Sequence, residues 1–202
     1  MRRFQPREGT RLRLCRRWGA PAVDVALVLP GALAAQAIAP LPLRGGEVVV
    51  DVRATKVNDF DTRAGVAAAR FSGSDLANVT GFFEVRVADM RTGIGLRDRH
   101  LRGAMNADSF PVVRFDLIGV DAQGATGDSI PIALQGRLTL HGVTRVIRVP
   151  ATVVRRPASI EVIVSRYPLD MREYGITPPT RFLGAIRVHP DVHVNARLLF
   201  GN

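Results

Sequence analysis

From about residue 47 onward, apolar and polar residues alternate in short runs and helical periodicity nearly vanishes, so the chain reads as a succession of strands. Strands are predicted near 48–57, 64–71, 80–88, 112–120, 132–140, 145–154, 160–166 and 185–199. The last run is the clearest, with Val192, Val194, Ala196, Leu198 and Phe200 on one face and His193, Asn195 and Arg197 on the other. In 112–120, Pro111 fixes the entry, Val113, Phe115 and Leu117 share the dry face, and Arg114 and Asp116 share the wet one. Ile132, Leu134, Gly136, Leu138 and Leu140 alternate with Gln135, Arg137 and Thr139, and His141-Gly142 supplies the turn into the next strand. The interval from Ala64 to Phe83 is rich in Ala and Gly and alternates least well. One piece breaks the strand pattern. Arg97-Asp98-Arg99-His100-Leu101-Arg102 reads as a short exposed helical turn around one apolar anchor, with Asp98 and Arg102 spaced to pair.

Alternation alone leaves a β-sandwich and a β-barrel tied, since both bury every second residue. The order of the pieces breaks the tie. The helical turn, then Phe110-Pro111-Val112-Val113-Arg114-Phe115, then Leu138-Thr139-Leu140-His141-Gly142-Val143-Thr144, then Tyr174-Gly175-Ile176 resembles the YceI-like family over roughly residues 47 to 200. Where the family commonly carries an early Asp-x-x-His-Ser element, this chain reads Val50-Asp51-Val52-Arg53-Ala54-Thr55-Lys56-Val57, without histidine. The resemblance implies an all-β fold, an eight-stranded antiparallel lipocalin-like barrel with a short helix between strands. It also implies a protein usually exported to the periplasm that binds a polyisoprenoid or similar amphiphile in its lumen.

If the lumen is open, the apolar faces supply its walls: Phe83 and Val85; Val113, Phe115 and Leu117; Leu134, Leu138 and Leu140; Val162; Val194 and Leu198. Small barrels are often filled by their own side chains, so plain core packing competes with ligand contact at each position. Arg97, Asp98, His100 and Arg102 suit either a ligand headgroup or a structural hydrogen-bond cluster that closes one barrel end.

At 202 residues, 47% hydrophobic and 23% charged, the chain is long enough for one packed domain and a short extra segment. The formal charge is +10, yet seven arginines stand against Glu8 and Asp24 within the first 37 residues. Residues 1–37 read as an export signal or a disordered basic leader: a basic stretch to Arg17, an apolar run from Trp18 to Leu33, then small-x-small sites ending at Ala34 and Ala37. The barrel domain is expected over 38–202, and the location as periplasmic or secreted. Cys15 is the sole cysteine and lies in that leader, so the rest can form no disulfide and no Cys-ligated metal site.

The remaining constellations point away from chemistry. His189 and His193 lie four apart with Pro190 between them and no acid clustering with both, a poor metal site. Asp59 and Asp61 read as a solvated turn. Gly93-Ile94-Gly95 lacks the rest of a nucleotide fingerprint. Scattered arginines with 6% aromatics and no stacking platform argue against specific nucleic-acid binding. No catalytic or metal residues and no cofactor are therefore expected. The expected ligand is a polyisoprenoid, an isoprenoid quinone or a fatty-acyl lipid, with transient membrane contact and a homodimer left open. A ligand-free structural or stress-related interaction module, or a lipid-modifying enzyme using His100 and His141, are the alternatives.

Overall fold

The sequence folds into β1 (Leu43–Val52), β2 (Phe60–Gly65), β3 (Ala68–Ser72), β4 (Thr80–Arg86), α1 (Gly95–Ala104), β5 (Val112–Asp121) and β6 (Ser129–Leu140). There follow β7 (Val143–Arg156), β8 (Ser159–Asp170), β9 (Thr180–Arg181), β10 (Ile186–Arg187) and β11 (Asp191–Gly201). This is a computed structural model that describes residues 42–56, 58–73, 78–122, 127–181 and 186–201. The predicted leader over 1–37, with Cys15, lies outside the described residues.

Nine strands form one sheet in the order β2-β1-β11-β8-β7-β6-β5-β4-β3, every pairing antiparallel. Its two edges are consecutive in the chain. Between them the Val66 N–H donates to Gly46 O of β1, and the Ala67 N–H donates to Glu84 O of β4. One bent strand thus serves both edges and completes the ring, so the barrel counts eight strands with β2 and β3 taken together. The fold is all-β and lipocalin-like. The predicted strand at 64–71 is corrected accordingly: it is two pieces hinged at Val66-Ala67, because a barrel corner must turn there and Ala-rich sequence leaves no alternation to mark it. The predicted strand at 185–199 likewise divides into β10 and β11, and β1 starts at Leu43 and stops at Val52.

Bulges bend the long strands to the curvature of the ring. At one of them Arg166 takes a positive φ of 50°, and Asn195 Oδ1 accepts its N–H at 2.9 Å. The turn between β6 and β7 has the predicted form. Leu140 pairs with Val143, leaving His141 (φ 51°) and Gly142 (φ 77°) as the two loop residues of a type I′ turn.

The core has two parts. Phe115, Leu117, Ile130, Ile132, Val149, Ala151, Val153 and Val164 fill one end of the barrel. At the other end Val87, Met105, Leu140, Tyr174 and Ile176 pack beneath α1, with Leu101 against them. α1 stops because Asn106 adopts φ 45°, which brings the Ala107 N–H to Arg102 O at 3.0 Å.

Candidate ligand-binding cavity

Between the filled end and the α1 end lies a cavity of about 450 Å³. Strand register sets its walls. Ala64, Val48 and Ala196 lie side by side across β2, β1 and β11, and Thr62, Val50 and Val194 form the next layer toward the mouth. Phe83, Val85, Val113, Leu138 and Leu140 supply the facing wall, and Met90, Met171, Pro179 and Val188 also line the space.

The floor has a specific cause. Phe83 and Phe115 are cross-strand partners with ring centroids 5.6 Å apart. The Phe115 ring lies over Gly136, where an added Cβ would come within 2.7 Å of both Phe115 Cε2 and the Asp116 carbonyl oxygen. Gly46 does the same for Leu198 and Val66, whose methyl carbons would each stand 2.7 Å from a Cβ there. Missing side chains on two strands let larger neighbours fold across the bore. Below that level the barrel is solid, and above it hollow.

The predicted wall residues divide along this line. Phe83, Val85, Val113, Leu138, Leu140 and Val194 line the cavity. Phe115 and Leu117 instead belong to the filled end, Leu134 and Val162 pack against it, and Leu198 is buried opposite Val162, its partner on β8, outside the cavity lining. Alternation could not separate the groups, since both point inward. It also left out β1, although Val48, Val50 and Val52 carry the same alternation, and Thr62. The Thr62 hydroxyl is buried with no hydrogen-bond partner among the described residues.

The helical segment divides as well. Arg97, His100, Leu101 and Ala104 recur at helical spacing and face the cavity. The Arg97 guanidinium sits 4.1 Å over the Phe60 ring, tying α1 to β2 through a cation–π contact. Asp98 turns the other way and is buried. Its Oδ1 accepts from the Thr92 hydroxyl at 2.6 Å and the Thr92 N–H at 2.7 Å, fastening the preceding loop to the helix. The Thr92 hydroxyl, then its backbone N–H, holds the Asp98 carboxyl below the usual aspartate range. Among the described residues Asp98 forms no ion pair with Arg102, which acts on it only at longer range. The expected single cluster is thus two devices: Asp98 structural, Arg97 and His100 on the cavity wall, and Arg102 outside the lining.

The other motifs converge beneath α1. Phe110 packs on the His141 ring at 4.8 Å, and a Cβ on Gly142 would run into Phe110. His141 Nδ1 lies 3.2 Å from Tyr174 O, and Gly175 takes φ 70° to end the turn. Burial pushes the Tyr174 phenol up from its ordinary value, as it does Tyr167. His141 is therefore a packing and turn residue and, unlike His100, is not part of the cavity lining. Asp59 accepts from the Ala54 N–H, in keeping with a turn. Among the described residues no three His, Cys, Asp or Glu side chains assemble as a metal site, and no helix is long and apolar enough to cross a membrane.

No curated protein sequence matches the chain significantly. Solved structures do. The barrel is similar to a polyisoprenoid binding domain from Saccharophagus degradans implicated in plant cell wall breakdown (TM-score 0.63, 18% identity, covering 79% of this chain and 96% of that one). It is also similar to Burkholderia cenocepacia BcnA (0.62, 15%, 76% and 95%) and to the Campylobacter jejuni YCEI protein (0.54, 16%, 75% and 85%). At such identities the likeness is one of fold. The family model of the YceI-like domain matches residues 44–200, the whole barrel with its motifs in order, and the chain belongs to the YceI-like family.

Proposed function

We propose that the protein binds one single-chain amphiphile, a polyisoprenoid or a similar quinone or fatty-acyl lipid, in the hollow end of the barrel, and carries or sequesters it unchanged. The observation that carries this reading is the cavity itself: about 450 Å³ of space with walls apolar but for Thr62, Arg97 and His100. One methylene takes roughly the ~30 Å³ that a water takes in the liquid, so the space suits a tail on the order of fifteen carbons. Arg97 and His100 then offer donors to an oxygen-bearing headgroup. The polyisoprenoid binding described for the Saccharophagus domain supports the ligand class. The basic, then apolar, then small-residue leader supports export to the periplasm.

Titration with cis-parinaric acid, a fluorescent polyene fatty acid, tests the reading. Saturation at one probe per barrel is expected, with loss in a Val50→Trp variant that fills the cavity while keeping its strand circular dichroism. A folded wild type that takes up no probe, or an unaffected Val50→Trp, would overturn it.

A further inference from the structure

The entrance to the cavity carries a surface that lipid carriage alone does not require. Ile94 and Leu96 are 51% and 59% exposed, in the same short segment, although each also borders the cavity. Two large apolar side chains at that exposure, both on the cavity's border, offer apolar area for a lipid surface to cover. The charges in their own segment, Arg91 to Arg102, are mostly of one sign. Between Arg91 and Arg102 there are four arginines and one acid, and that acid, Asp98, is buried against Thr92. Arg99 points outward beside Leu96, since residues three apart share a helix face, and both are exposed. Ala54 also borders the cavity, with exposed Arg53 and Lys56 beside it and Asp59 and Asp61 as the nearby acids.

Apolar side chains set in a basic rim match an anionic bilayer, whose headgroups meet the arginines while Ile94 and Leu96 enter the boundary with the acyl chains. We propose that the α1 rim docks the barrel, mouth down, on an anionic membrane. This adds to the carriage reading the place where a lipid would pass between bilayer and cavity without crossing water.

Sedimentation of the full chain with vesicles tests it, comparing equal phosphatidylglycerol and phosphatidylcholine with phosphatidylcholine alone. Binding to the anionic vesicles is expected, falling as salt rises. Arg53→Gln with Arg99→Gln should weaken it about twenty-fivefold, at about fivefold per arginine near an anionic surface. Leu96→Ser should weaken it further, by about tenfold. The basic segment 1–37 is present in every variant, so attachment through it would leave all of them alike, and that result would overturn the proposal. So would equal binding to the neutral vesicles. Neither Arg53 nor Arg99 lines the cavity, so the arginine variant should still titrate with cis-parinaric acid. Vesicle binding that survives in a wild type unable to take up the probe would refute carriage and leave docking standing.

Discussion

Gly136→Ala is the substitution on which the half-filled barrel can be tried most sharply. The new methyl would lie 2.7 Å from Phe115 Cε2 and from the Asp116 carbonyl oxygen, well inside ordinary contact. Phe115 is buried in the filled core and has the Phe83 ring beside it, so its ring has little room to yield. Overpacking of this kind costs about 1–3 kcal/mol. Alanine recovers about 0.5–1 kcal/mol that glycine forfeits in a strand. A net loss of about 0.5–2 kcal/mol remains, which in a domain of this size lowers Tm by about 1–8 °C. Calorimetry of Gly136→Ala, Phe115→Leu and the pair reads it. The double variant should be more stable than the two separate losses predict, by about 0.5 kcal/mol or more, because the smaller side chain makes room for the methyl. Rescue should stay partial, since the Asp116 carbonyl does not move with Phe115. Strictly additive losses, or an unchanged Tm for Gly136→Ala, would refute the floor as described.

Tail length should govern affinity only up to the floor. Each added methylene contributes about 0.8 kcal/mol, roughly fourfold in Kd, until a tail on the order of fifteen carbons fills the space; competition against cis-parinaric acid by a series of alcohols should show the plateau. Thr62→Val replaces a partnerless buried hydroxyl by a methyl of the same shape and should raise stability by about 1 kcal/mol, seen as a higher denaturant midpoint. Asp98, held low by Thr92, stabilises the fold above the ordinary aspartate value of 3.8, and that contribution is lost as pH falls through its lowered value. Asp98→Ala should therefore be less stable at neutral pH and show a weaker acid dependence in that window. The only two tyrosines, Tyr167 and Tyr174, are held neutral by burial above the ordinary value of 10.0. The fold then binds more protons than the unfolded chain, so stability falls as pH rises through that region, and the phenolate absorbance of the native protein should titrate later than that of the unfolded chain.

Much of the barrel is written in local chemistry. The Leu138–Leu140 alternation with His141-Gly142 specifies a two-residue turn, because few other residues tolerate positive φ twice in succession. The inward face of β11 reads directly from Val192, Val194, Ala196 and Leu198. What alternation cannot carry is depth along the bore. Phe83 and Phe115 are inward aromatics of the same kind, paired across two strands, yet one borders the cavity and the other belongs to the solid end. The difference lies in a third strand, at Gly136, which no local pattern connects to either. The division of Asp98 from Arg97 is hidden for a similar reason. Both are charged helix residues in the sequence, and only the approach of Thr92 and Phe60 assigns one to the fold and the other to the wall.

The central claim is that the hollow end of this barrel holds a lipid, and mass spectrometry of an organic extract from protein purified without denaturant or detergent tests it most directly. One oxygen-bearing amphiphile per barrel, displaced from the Val50→Trp variant, is the predicted result. A native barrel whose extract contains no lipid, and which remains empty after incubation with lipid vesicles, would contradict it.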